Sequence, residues 1–159
     1  MPEKTLAKLK KEYLVFEKKY KFPKFHDLNA EFEIEKLQGH ETEFLLREIR
    51  RTITDKIAAF LKFFELFLNP QAAPLFILSA LKSISPAEKD KIEKIYKRII
   101  ALEIKAISLD ISYDEKREAD FIKTTYESWQ SLKGELKIID DILSRVREEN
   151  KPNNKSYFG

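Results

Sequence analysis

No cysteine occurs among the 159 residues, which excludes disulfides, thiolate metal ligation and cysteine nucleophiles. Glycine is nearly as scarce. Gly39, Gly134 and Gly159 are too few and too scattered for a phosphate-cradling loop, and they argue against a turn-rich β fold. Histidine is limited to His26 and His40, both in segments that read as loops. A carboxylate-bridged di-metal centre in a helical bundle wants two Glu-x-x-His pairs, and the sequence has none. Neither His40 with Glu41 and Glu43, nor Glu103, Asp110, Asp114 and Glu118, is therefore expected to hold metal. No Gly-x-Ser-x-Gly turn or paired Ser, His and Asp marks a nucleophile. We assign no catalytic, cofactor-binding or metal residue on this basis, and the reading leans towards a protein that is not an enzyme.

Long apolar runs are missing too. The segment from Ile57 to Leu81 is the nearest approach, but Lys62 and Glu65 lie inside it and Asn69-Pro70-Gln71 with Pro74 divides it. Each uninterrupted run falls short of the roughly 20 residues that span a bilayer. A buried helical hairpin is the expectation, with no membrane span. The first residues are charged and carry no apolar signal core, so a cytoplasmic protein is expected.

What the sequence does have is apolar residues at helical spacing. Ile92, Ile95, Ile99, Leu102, Ala106, Leu109 and Tyr113 recur at intervals of three and four, as do Ile122, Thr125, Trp129, Leu132, Leu136, Ile139, Leu143 and Val146. Such spacing keeps side chains on one face of a helix. With 43% hydrophobic and 36% charged residues, the composition suits one globular domain. The fold class that follows is all-α: an antiparallel bundle of about five helices over residues 1–149, with a flexible tail at 150–159.

The first helix runs from about Pro2 to Tyr20 and is interrupted by Lys21 to Asp27 around Pro23. A short piece spans Leu28 to Gln38, and a long second helix runs from Glu41 to Leu68 with Leu46, Ile49, Ile53, Ile57, Phe60, Phe64 and Phe67 on one side. Asn69-Pro70 reads as the cap and first turn of a short apolar helix from Ala72 to Lys82. Ser85-Pro86-Ala87-Glu88 is a capping box that starts the fourth helix. Ser112-x-x-Glu115 repeats the signal before a long amphipathic C-terminal helix. A second stripe on the fourth helix, Ile100, Ile104, Ile107 and Ile111, places that helix at the bundle centre, between two neighbours. A seam between two copies of the chain is the rival expectation.

Candidate binding residues come from charge and aromatic content. The basic residues divide into 23 Lys and 7 Arg, a lysine bias that fits a thermophile or an AT-rich genome. Against that bias Arg47, Arg50 and Arg51 form a compact cluster at i, i+3 and i+4. Planar guanidinium forks suit phosphate or carboxylate, so the cluster is a candidate site for an anion or acidic partner, with Thr54 and Lys56 nearby. The rival is pairing within the helix, Glu43 to Arg47 and Glu48. The first 25 residues hold 8 Lys against 3 Glu, whereas Glu31, Glu33, Glu35, Glu41 and Glu43 face only Lys36. Phe60, Phe63, Phe64, Phe67 and Phe76 crowd the hairpin and offer a candidate protein interface. Tyr157 and Phe158 give the tail a candidate docking motif. The leading functional expectation is a protein-interaction or scaffold module with a protein partner or self-association. The alternative is a nucleic-acid or phosphate-binding protein using the lysine-rich first helix and the arginine cluster.

Overall fold

A computed structural model describes residues 5–149, and all regular structure among them is helical. The α-helices are α1 (Leu6–Tyr20), α2 (Phe25–Phe32), α3 (Leu45–Leu68), α4 (Leu75–Ser83), α5 (Pro86–Ile111), α6 (Glu115–Glu135) and α7 (Lys137–Glu149). Short 3-10 turns at Ile34–Leu37 and Pro70–Ala72 connect them. No described helix is long and apolar enough to cross a membrane.

The central unit is α3, α5 and α6. Arg50 of α3 meets Glu118 near the start of α6, and Phe60 meets Trp129 further along both helices, so α3 and α6 run in the same direction. Asp110 at the end of α5 also meets Arg50, while Ile92 near its start borders one cavity with Phe67 and Leu68. α5 therefore runs antiparallel to both. Its buried residues are the expected seam, Ile92, Ile95, Ile99, Leu102, Ala106 and Leu109. Burying one aliphatic side chain contributes roughly 1.5–3 kcal/mol, so this face is a main source of cohesion.

Local signals explain most boundaries. The Ser85 hydroxyl accepts from the Glu88 amide and the Glu88 carboxylate accepts from the Ser85 amide, closing the expected capping box with Pro86 in the first turn. α1 ends where Lys21 turns left-handed at φ 56°, its N–H donating to Glu17. Tyr13 locks the next turn. Its hydroxyl donates to the Pro23 carbonyl at 2.6 Å, and its ring packs edge-on against Phe25. Burial pushes this phenol well above its usual range.

Five expectations need correction. The described residues form seven α-helices rather than about five: α2 starts at Phe25, inside the expected interruption, and stops at Phe32 where Glu33 turns left-handed, so the expected piece from Leu28 to Gln38 is a helix followed by a 3-10 turn. Asn69 ends α3, its N–H donating to the Glu65 carbonyl at 2.8 Å, but its side chain caps nothing; Pro70 opens only a 3-10 turn, and α4 starts after Pro74. Asp114, rather than Ser112, caps α6 by accepting from the Arg117 amide. The single C-terminal helix is two, interrupted at Leu136 just after Gly134, a residue that weakens helix interiors. The stripe of α5 is not sandwiched: Ile104, Ile107 and Ile111 are 61%, 57% and 82% exposed. One buried face of α5 is broad enough to meet both α3 and α6, so its opposite face is left to solvent.

Candidate functional site

The arginine cluster sits where α3, α5 and α6 converge. Arg50 lies on the inward side of α3 beside Leu46, Ile49 and Ile53, and is 1% exposed. Its Nε donates to Glu118 Oε2 at 2.7 Å and its Nη2 to Glu118 Oε1 at 3.2 Å, a bidentate fork. The same Nη2 donates to Asp110 Oδ1 at 2.7 Å. Glu118 is itself fully buried. Burial alone would lower the Arg50 pKa, but its bonds to Glu118 and Asp110 more than reverse this and raise it. The Arg50 hydrogen bond holds the Asp110 carboxyl below its ordinary value, with Arg51 and Arg47 adding to the effect.

Arg47 and Arg51 flank this centre. The Arg47 guanidinium lies 5.1 Å from the Tyr113 ring centroid, donates to the Leu109 carbonyl at 3.3 Å and approaches Glu118 at 3.5 Å. Arg51 is half exposed and near Glu48 and Asp110 at 3.5 and 3.6 Å. The three arginines thus meet carboxylates of other helices as well as their own, and Arg51 is the member that solvent reaches most freely. Thr54 bonds back to the Arg50 carbonyl. Lys56 donates to the Glu31 carbonyl and lies 5.1 Å from the Trp129 ring centroid, joining α3 to α2 and α6.

An open groove of about 950 Å³ runs along the outer ridge of α3, between the 3-10 turn at Ile34–Leu37 and α5. Lys36, His40 and Arg51 line it, as do Asp55, Glu103 and Asp110. Glu103 is its unsatisfied member: its Oε2 is buried and accepts no hydrogen bond among the described residues. Burial, then repulsion from Asp110 and Asp55, raises its pKa.

The aromatic hairpin divides between core and surface. Phe64 and Phe67 are buried; Phe60 and Phe63 are half-buried, bordering a shallow apolar hollow with Ile139 and Leu143; Phe76 is 48% exposed beside Leu75. Tyr157 and Phe158 lie outside the described residues. On α1, Lys8, Lys11 and Lys18 share the outward face with Val15, and make no ion pair among the described residues. Lys19 pairs with Glu115.

The outward face of α5 was expected to be covered, and is the largest exposed apolar feature of α5. Ile104, Ile107 and Ile111 present together roughly 400 Å² of apolar surface, within the range of the largest patch on an ordinary monomer, a patch that is often functional. The groove on the α3 side is lined by charges of both signs, Lys36 and Arg51 with Asp55, Glu103 and Asp110, and the hollow on the α6 side by Lys105, Arg117 and Asp120. Neither Glu103, Asp55 nor Lys105 makes an ion pair among the described residues.

No family model, curated protein or solved structure matches this chain.

The buried ion cluster had a readable signal that spacing alone offers. Arg50 follows Leu46 by four residues and precedes Ile53 by three, in phase with the apolar face of α3. Glu118 stands four before Ile122 in the same way. Two opposite charges, each in phase with a core stripe, identify a buried interhelical pair.

Proposed function

We propose that the protein is a non-enzymatic protein-interaction module that packs a partner's apolar helix against the outward face of α5. One observation carries this reading: Ile104, Ile107 and Ile111 stand 57–82% exposed on the side of α5 opposite its core seam, at the alternating spacing into which a second helix packs. Covering about 400 Å² of such surface contributes on the order of 10 kcal/mol gross. Association costs take back much of that, so the contact is a reversible one. The charged edges of the face supply orientation. A reducing compartment such as the cytoplasm is in keeping with the absence of cysteine.

The experiment is affinity capture from cell extract with the wild-type chain and with Ile107→Glu, washed at about 0.5 M salt, where exposed charges are screened to a few ångströms. A protein retained by the wild type and lost by the variant supports the reading; identical captures by both overturn it.

A second reading has its own observation. The lysines on the outward side of α1, Lys8, Lys11 and Lys18, which make no ion pair among the described residues, with Lys21 and Lys24 beyond it, suit a polyanion such as nucleic acid. Capture of nucleic acid that falls steeply between low and moderate salt, and that ignores Ile107→Glu, favours this alternative.

A further inference from the structure

The stretch that closes α3, turns at Pro70–Ala72, forms α4 and opens α5 is almost free of charge. From Leu66 to Ala87 it holds one charged residue, Lys82, and no carboxylate, in a chain of which 36% is charged. Burial does not account for this. Asn69, Pro70, Gln71 and Pro74 are exposed and uncharged, and Leu75, Phe76 and Leu78 are exposed by 83%, 48% and 36%. We infer that this end of the molecule seats on an anionic lipid bilayer, with Leu75, Phe76 and Leu78 entering the interface and Lys82 and Lys89 meeting lipid phosphates.

Shape and charge both select a bilayer. The buried Ile77 and Ala80 mark the inner side of α4. Because successive residues of a helix turn by about 100°, Leu75 and Leu78 fall on one flank of the outer side and Phe76 on the other. Apolar atoms therefore splay across the outer face instead of forming the narrow stripe into which a partner helix packs, an arrangement that a fluid apolar phase accepts. Lys82 follows Leu75 by seven residues and Leu78 by four, so it stands in line with them at the far end of α4. From there its stem can lie along apolar surface and lift the ammonium to the headgroups.

The neighbouring surface repeats the pattern. A cavity of about 560 Å³ beside α4 is lined by Phe67, Leu68, Leu81 and Ile84, has Lys89 at its border and carries no carboxylate. Neither Lys82 nor Lys89 makes an ion pair among the described residues. The carboxylates nearest in sequence are removed from this surface or already engaged. Glu65 is exposed on the side of α3 away from Phe64 and Phe67, Glu88 accepts from the Ser85 amide and Arg145, and Asp90 pairs with Lys94 at 3.0 Å. An anionic leaflet attracts unpaired lysines and repels carboxylates, so one unmatched cation sign beside exposed leucine and phenylalanine is the complement it requires. At nine residues α4 lies in the interface and does not cross it, and three apolar side chains with two lysines make the attachment shallow and reversible.

Co-sedimentation of the full chain with vesicles tests this, using roughly 30% phosphatidylserine in phosphatidylcholine as the anionic surface and phosphatidylcholine alone as the neutral one. At about 0.1 M salt the wild type is expected on the anionic vesicles, with about tenfold weaker binding to the neutral ones. Leu75→Glu is expected to weaken anionic binding about tenfold or more, with an unchanged circular dichroism spectrum because the position is exposed. Lys82→Glu is expected to weaken it about tenfold, and Ile107→Glu, on the α5 face, to leave it unchanged. A wild-type chain that stays in the supernatant with anionic vesicles overturns the proposal. So does binding that ignores Leu75→Glu and vanishes at about 0.5 M salt, the behaviour of the α1 lysines acting alone. A protein captured from extract by the wild type and lost by Leu75→Glu, with no vesicle binding, also overturns it and makes this end a protein surface instead.

Discussion

Asp110 and Ile111 are neighbours in sequence, yet the half-exposed Asp110 carboxylate reaches inward to a buried arginine while Ile111 reaches nothing in the core. Asp110 belongs to a charged cluster whose centre, Arg50 and Glu118, is 1% and 0% exposed. Ile111 stands 82% exposed on the other side of α5. Within a few ångströms of chain the usual arrangement is inverted, with ions inside and isoleucine outside. The two regions answer different requirements. A buried ion pair contributes little net stability, because desolvating the charges offsets their attraction; what it fixes is which helices meet and in what register. An apolar side chain left in water contributes nothing to folding. The interior pair joins α3 to α6, and the exposed stripe buries little surface within the chain.

Breaking the interior region has the largest expected effect. Glu118→Ala leaves Arg50 buried with Nε unpaired and only Asp110 at Nη2, and should cost about 3–5 kcal/mol in urea unfolding. Replacing both partners, Arg50→Met with Glu118→Leu, should recover most of that loss. If the double variant remains as unstable as Glu118→Ala, the pair is itself a source of stability and the contrast drawn above fails.

How much of this was legible in the sequence depends on what kind of signal each feature leaves. The capping box at Ser85 and the core seams of α3, α5 and α6 are local or periodic, and they can be read directly. Arg47, Arg50 and Arg51 were visible as a cluster, but periodicity along one helix is silent on which residues of distant helices come to meet it. Glu118 lies 68 residues from Arg50. The same limit applies to α5 and to the hairpin. Two apolar stripes state that a helix has two sticky sides, not that both are covered, and five phenylalanines state crowding without saying that Phe64 goes in and Phe76 stays out. The break at Leu136 was hidden because the apolar rhythm continues through it while Gly134 weakens the backbone.

Acid should weaken the interior region from its outer edge. Asp110 has its carboxyl held low by Arg50, so its contribution is complete above its unfolded value near 4 and is lost as pH falls through the lower folded value. Because its side chain is half exposed, the loss should be about 1 kcal/mol or less. Comparing wild type with Asp110→Asn between pH 7 and pH 2 measures it; the variant's stability should fall less steeply below pH 4.

Glu103, between the two regions, should behave in the opposite sense. Its folded pKa is raised, so the protonated form fits the fold better; the penalty is absent in acid and grows as pH rises through the unfolded and then the folded value. Glu103→Gln should therefore stabilise the monomer by about 0.5–1 kcal/mol at pH 8, the scale of one repaired polar group, and by nothing at pH 3. An equal gain at both pH values would show that ionisation of Glu103 is not the source of the penalty.

The exposed stripe should show the smallest effect on stability. Ile104→Ser with Ile107→Ser removes two large apolar side chains, a change that costs several kcal/mol in a core. Here both positions face solvent, and serine and isoleucine have similar helix propensity, so unfolding of the dilute chain should move by less than about 0.5 kcal/mol. A loss of 2 kcal/mol or more would mean that the stripe is packed within the monomer, and the contrast with Asp110 would collapse. An unchanged monomer together with lost association would leave the stripe with one remaining role, as a surface kept apolar for another molecule.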